Sequence, residues 1–235
     1  MKERMTPARA AGAIAVVVFL VVAVLFGFTA VSTEQEAASQ VTFDPASYVD
    51  GVWTDIKTAI TDNAVPLADV LNRIQPDGRG KASTTDLTPI AQELGLITTG
   101  EAHVYRVKAT GTVTDADVAT SKGSVGLAVD GYTGPIKVRV YVGTRIPSDE
   151  SSVRDAAGFI QFGDFKDQTE YGKVAAEINK RVVADLETAG VAGKEAAALE
   201  GKPVTVEGAF TLRTFNQPQI DVSTIELVPV ELAAQ

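Results

Sequence analysis

At His103 the spacing of apolar residues changes from a helical period to strict alternation, and this switch divides the chain into a helical part and a stranded part. Upstream, Val49, Val52, Trp53, Ile56 and Ile60 recur at helical spacing behind Asp44-Pro45, an N-cap followed by a proline at the first helical position. A second short helix is expected over 66–74, with Leu67, Val70, Leu71 and Ile74 on one face. A third is expected over 87–94, ended by Gly95. Downstream, Tyr105, Val107, Ala109, Gly111 and Val113 alternate with Arg106, Lys108, Thr110 and Thr112. Val125, Leu127 and Val129 alternate with Ser124, Gly126 and Ala128. Ile136, Val138, Val140 and Val142 alternate with Lys137, Arg139 and Tyr141. These segments predict three half-buried strands.

A long connection over 143–166 leads into the clearest helix of the chain. Asp167-x-x-Glu170 makes its capping box, and Tyr171, Val174, Ala175, Ile178, Val182 and Leu186 make its buried stripe. Two strands close the chain, 204–210 and 220–228, the second with a bulge expected near Ser223-Thr224. The order strand, strand, strand, helix, strand, strand describes an α+β fold: an OB-like five-stranded barrel with a helix between strands three and four. The expected organisation is a basic cytoplasmic stub over 1–9, a membrane anchor over 10–31, a tether over 32–42, a helical appendage over 43–97 and the barrel domain over 98–231.

The anchor rests on AAGAIAVVVFLVVAVLFGFTAV, residues 10–31, preceded by Lys2, Arg4 and Arg9. As a helix it crosses about 30 Å of hydrocarbon, and the basic flank keeps the N-terminus cytoplasmic. A cleaved signal peptide has a shorter apolar core, although Ala30-Val31-Ser32 is a poor cleavage site of that kind. The expectation is a single-pass protein of the cell membrane with its C-terminal domain extracytoplasmic. The chain has no cysteine, which removes lipidation at a lipobox, disulfides and thiolate metal sites. Its net charge is −9, and setting aside Lys2, Glu3, Arg4 and Arg9 leaves −11 on the remainder. Such a domain is repelled by phosphate backbones, so nucleic acid is not an expected partner.

With the aliphatic residues turned inward, Arg106 and Lys108 point outward from the first strand, and Lys137, Arg139 and Tyr141 from the third. Ser124, Gly126 and Ala128 then form a floor of small side chains between two cationic walls. The inter-strand loops 114–122 and 212–219 would border this groove, the latter adding Arg213, Phe215, Asn216 and Gln217. The pattern suits a small anionic or carbohydrate ligand. The blander reading is that these cations serve solubility and protect strand edges. In the long connection, Phe159, Phe162 and Phe165 would cap the barrel, and Arg154-Asp155 is either a structural ion pair or a ligand clamp.

Catalytic templates are poorly matched. His103 is the only histidine, so a two-histidine zinc site is absent and any Ser-His-Asp triad would depend on that residue. Asp115 with Asp117, and Asp164 with Asp167, suit turns and a helix cap. Asp77-Gly78-Arg79-Gly80 lacks the Lys-Ser/Thr of a phosphate-binding loop. No enzymatic activity, cofactor or metal is expected.

Four stretches carry a family resemblance: FDPASYVDGVW from Phe43, YRVKATGTVTDADVATSKGSVGLAV from Tyr105, VRDAAGFIQFGDFKDQTEYGKVAAEIN from Val153 and GKPVTVEGAF from Gly201. Together they resemble a bacterial family of predicted periplasmic lipoproteins of unknown function (domain of unknown function 2291). The resemblance implies an OB-like barrel and genes beside sugar-type ABC transporters, hence an accessory role in solute uptake. It places Arg154, Asp155, Phe165, Gln168, Tyr171 and Asn179 among the characteristic positions of the family. The family's lipobox cysteine is missing here, and Gly163 and Asp167 stand where asparagine is expected. The functional expectation is a non-enzymatic, membrane-tethered binding or adaptor module serving a transporter. The alternatives are an envelope structural protein that docks a membrane partner through the helices around Trp53, and a cryptic hydrolase.

Overall fold

The structure, a computed structural model, describes residues 43–235. The stub, anchor and tether expected over 1–42 lie outside the described residues. Helix α1 (Pro45–Thr61) starts where the sequence places it, the Asp44 carboxylate accepting from the Ala46 N–H at 3.1 Å. After the two-residue strand β1 (Val65–Pro66) come α2 (Leu67–Arg73), β2 (Lys81–Ser83), α3 (Thr84–Leu94) and β3 (Leu96–Ile97). Helix α3 begins a turn earlier than expected because Ser83 caps it, its hydroxyl accepting from Thr85 N–H.

The stranded part is β4 (His103–Asp117), β5 (Ser124–Val129) and β6 (Lys137–Tyr141). Two helices follow, α4 (Ser152–Ala157) and α5 (Gln168–Thr188). Strands β7 (Pro203–Leu212), β8 (Gln219–Asp221) and β9 (Thr224–Ala234) complete the chain. β4 pairs antiparallel with β5, β5 with β6, β6 runs parallel to β9, β9 pairs antiparallel with β7, and β7 returns to β4. The hydrogen-bonded neighbours therefore form a closed ring of five strands, with α4 and α5 inserted between its third and fourth members in chain order. The aliphatic residues of the alternation are buried, among them Val107, Val113, Val125, Val138, Val204 and Leu227. Full burial of each such side chain contributes about 1.5–3 kcal/mol.

Two segments differ from expectation. The last strand is broken rather than bulged. Asp221 accepts from both the N–H and the hydroxyl of Ser223 and turns the chain there, so β8 pairs with β2 outside the ring and β9 begins anew. The connection over 143–166 is also more ordered than a loop, holding α4 and a 3-10 turn at Phe162–Asp164. Helix α4 stops at Gly158, whose φ of +80° is the left-handed conformation that ends a helix cheaply only with glycine.

Helix α1 packs against α4 and α5, while α2 and α3 pack against β4. Residues 44–235 form one compact unit that includes the N-terminal helices as well as the ring. Among the described residues no helix is long and apolar enough to cross a membrane.

Candidate functional site

The basic groove expected on the first three strands does not assemble, and the reason is register. β5 lies against the Gly111–Asp117 half of β4, whereas Arg106 and Lys108 lie in the other half, opposite Ala209 and Glu207 of β7. Arg106 turns onto the end of α4, where its Nε donates to Ala156 O at 2.6 Å. Carbonyls at a helix C-terminus lack intrahelical partners, so a guanidinium satisfies both their hydrogen bonds and their partial charge. Lys108 is exposed beside Pro66 and Leu67, and Lys137 is exposed on β6. Arg139 donates to Ser124 Oγ at 3.0 Å and to Ser124 O at 2.9 Å, and pairs with Asp115. Tyr141 is buried rather than displayed.

Three of the expected residues, Tyr141, Arg213 and Gln217, do meet, in a different cleft. The β7–β9 ladder ends at Ala209↔Val228, because residues 224–227 of β9 pair with β6 instead. Beyond that point the two strands separate, and a cleft of about 500 Å³ opens between Phe210–Arg213 and Thr224–Glu226. Its walls carry the carboxylates of Asp149, Glu150, Asp221 and Glu226 against the single guanidinium of Arg213. Phe210 and Ile225 lie fully buried beneath it, and Tyr105 stacks on Phe210 with ring centroids 4.8 Å apart.

Local chemistry fixes the cleft. Tyr141 OH donates to Glu226 Oε2 at 2.7 Å. Burial, then the Glu226 bond and the negative charge of Glu226, Glu150 and Asp149, hold the Tyr141 phenol well above its ordinary pKa. Glu150 caps α4, accepting from Ser152 N–H at 2.8 Å, and the Arg213 guanidinium donates to the Asp149 carbonyl. Hydrogen bonds from Ser223 hold the Asp221 carboxyl below its ordinary pKa. Phe215 and Asn216 lie on the exposed loop beside this cleft without lining it. Sequence reasoning missed the four carboxylates; the outward place of Glu226 in the final alternation was the one available signal.

The family-like positions divide into two groups. Arg154 is buried, with Nε and Nη2 on Asp155 Oδ1 at 2.9 and 2.7 Å, and its guanidinium carbon is 3.6 Å from the Tyr171 ring centroid. Phe165 lies 5.6 Å from the Tyr171 ring and 5.4 Å from Tyr48. This group is a structural knot of α4, α5 and α1, and it does not touch the cleft. Asn179 reaches the cleft indirectly: from α5 its amide donates to Pro147 O at 3.2 Å and Glu150 O at 2.9 Å, holding the strap that carries Asp149 and Glu150. Gln168 is exposed at the first turn of α5.

With this geometry established, the family described as predicted periplasmic lipoprotein (DUF2291) matches residues 15–233. The chain belongs to this family. No curated protein matches the chain. An OB-fold protein from Thermotoga maritima, with a crystal structure at 1.90 Å resolution, superposes with a TM-score of 0.55 at 19% identity. The match covers 83% of this chain and 99% of that one. At this identity the likeness is one of fold, so this DUF2291 member is α+β with an OB-fold neighbour, and a site must be argued from its own residues.

Proposed function

We propose that this protein is a membrane-tethered, extracytoplasmic, non-enzymatic binding module whose ligand is a neutral sugar, acting beside a sugar-type transporter. The observation that supports the reading is the cleft between β7 and β9. Sugar hydroxyls donate to carboxylates and accept from a guanidinium, and apolar walls suit the C–H faces of a pyranose. Glu226, Glu150 and Arg213 supply the first two kinds of group, and the half-buried Pro147 supplies the third. Four carboxylates against one arginine make the cleft unfavourable for an anion, so the charge of the walls favours the carbohydrate over the anionic alternative. The apolar run over 10–31 supports the tether, and the resemblance to transporter-linked relatives supports the partner.

Docking through Trp53 is less favoured. The Trp53 indole N–H donates to Asp185 Oδ2 at 3.2 Å, which commits this side chain to the α1–α5 interface. A hydrolase resting on His103 is disfavoured as well, because that imidazole is only 2% exposed.

Calorimetric titration of the full chain with neutral oligosaccharides and with the matching uronic acids tests the proposal. Neutral sugars should bind, with affinity reduced at least about tenfold by Glu226→Gln, equivalent to about 1.4 kcal/mol. Preference for the uronic acids, or no binding of either series, rejects it.

A further inference from the structure

Helix α5 carries two rows of side chains with different surroundings. Val174, Ile178, Val182 and Leu186 recur at helical spacing and are buried. The neighbouring row, Ala176, Asn179, Lys180, Val183, Ala184 and Glu187, faces the strap over 143–151. Thr144 lies beside Gly193, past the end of the helix, since a Cβ built on that glycine would sit 3.1 Å from Thr144 Cγ2. The carbonyls of Pro147 and Glu150 reach Asn179, near the middle of α5. The strap therefore runs back along the helix, and alanine at positions 176 and 184 leaves a cavity of about 350 Å³ between the two. This cavity shares no lining residue with the cleft between β7 and β9.

Two polar side chains of the cavity have binding capacity that the fold does not use. Asn179 is 5% exposed, and its two amide hydrogens go to Pro147 O and Glu150 O. That commitment fixes the amide, so the group it leaves for a ligand is Oδ1, which has no donor among the described residues. Arg145, on the facing wall, is anchored by its backbone N–H, which donates to Ser121 O at 2.8 Å. Its guanidinium has neither an ion pair nor a hydrogen bond among the described residues. Lys180 adds positive charge but is paired with Glu177 at 2.7 Å, and the carboxylate of the lining is Glu187. The balance of charge is the reverse of that in the acidic cleft. Much of the remaining lining is apolar: Ala184 is exposed, Ala176 is half-buried, and Val183 and Ile146 show only their edges.

We infer that this cavity is a second binding site, for a small aliphatic carboxylic acid with a hydrogen-bond donor on the carbon next to its carboxylate, an amino acid or a hydroxy acid. The carboxylate meets the uncommitted guanidinium of Arg145, and the donor meets Asn179 Oδ1. The alkyl group lies on Ala176, Ala184 and the edges of Val183 and Ile146, the mixture of apolar lining and few polar groups that small-molecule sites share. The site does not depend on the sugar reading of the other cleft.

Calorimetric titration of the full chain with leucine, leucic acid, isocaproate and isopentylamine tests each group in turn. Leucine or its hydroxy analogue leucic acid should bind, and the tighter of the two identifies the donor. Isocaproate, which lacks the donor, should bind at least about tenfold more weakly, and isopentylamine, which lacks the carboxylate, should not bind. Arg145→Gln should weaken binding at least about tenfold. Ala184→Phe fills the cavity from an exposed position and should abolish binding, while circular dichroism and urea unfolding remain those of the wild type. Glu226→Gln should leave binding unchanged. Failure of both acids to bind, equal binding of the amine, or an affinity indifferent to Arg145→Gln overturns the inference. Loss of binding in Glu226→Gln would place the acid in the acidic cleft and overturn it too. The sugar titration is read through Glu226 and this one through Arg145, so each reading can fail alone.

Discussion

Arg139 reaches across Gly126 to Asp115. The three residues stand in one cross-strand row of β6, β5 and β4, and the absent side chain of Gly126 leaves the gap through which the ion pair forms. A Cβ at position 126 would run into the Asp115 carboxylate and the Thr114 hydroxyl. The small floor read from the sequence is therefore real, but a cation already bridges it. Gly126→Ala is expected to cost little more than the ion pair it displaces, because the atoms it meets are the ends of the exposed Asp115 and Thr114 side chains. Asp115 is about half exposed, so the ion pair itself contributes only about 0.2–1 kcal/mol. In a double-mutant cycle with Arg139→Gln, read by urea unfolding, the cost of Gly126→Ala should shrink by that amount, and full additivity would contradict the coupling.

The knot of Arg154, Asp155 and Tyr171 makes a larger demand. Both members of the ion pair are about nine-tenths buried, and the guanidinium is also held by Tyr171 O at 3.1 Å. Removing one partner strands the other charge away from water. Arg154→Ala should cost about 3–5 kcal/mol in thermal or urea unfolding, and Arg154→Lys should recover little of it because an ammonium lacks the planar fork.

The contrast between these two pairs shows which parts of the molecule can be read from a linear sequence. Alternation of Val125, Leu127 and Val129 with smaller residues is a local signal, and burial in β5 follows it. Asp44 and Asp167 cap their helices as read, because a cap depends on three or four neighbouring residues. Even here Glu170 differs in detail, accepting from Lys166 N–H instead of closing the box on Asp167. Register is not local. Nothing near Arg106 encodes that β5 ends opposite Gly111, and on that fact the basic groove fails. The acidic cleft gathers Asp149, Asp221 and Glu226 from three segments, around a split that the short Asp221–Ser223 turn creates between β8 and β9. Helix α4 is too short to show a period, and the adjacent Arg154 and Asp155 left an ion pair and a ligand clamp equally open until packing against Tyr171 made them a buried pair.

His103 makes stability depend on pH in the mildly acidic range. Its Nδ1 is buried without a hydrogen-bond partner, and Nε2 lies 3.4 Å from the Thr88 hydroxyl. Burial holds its pKa below 6.5 in the folded chain. The unfolded chain takes up the proton first as pH falls, so the stabilisation present above about pH 6.5 is lost between that value and the lower folded pKa. Urea unfolding followed through this window should show a slope of up to about 1.4 kcal/mol per pH unit that His103→Gln removes. An identical slope in the variant would assign it to carboxylates instead.

Tyr141 acts at the opposite end of the pH scale. Its hydroxyl donates to Glu226 in the wall of the cleft, and ionisation would set a phenolate against that carboxylate, with Glu150 and Asp149 adding to the repulsion. The folded pKa is raised, so the unfolded chain loses its proton first, and stability present below about pH 10 declines as pH climbs above it. Near neutrality Tyr141→Phe should cost about 0.5–1.5 kcal/mol, the net contribution of one hydrogen bond. Because phenylalanine does not ionise, the deficit should narrow and then reverse as alkalinity increases. Tyr48, Tyr105 and Tyr171 are also held above their ordinary pKa by burial, so the wild-type decline will be steeper than one phenol produces. The difference between wild type and Tyr141→Phe isolates the share of this residue. A deficit constant from neutral to alkaline pH would mean that Tyr141 meets no greater cost of ionising in the folded cleft than in the open chain, and the negative character assigned to the cleft would fail with it.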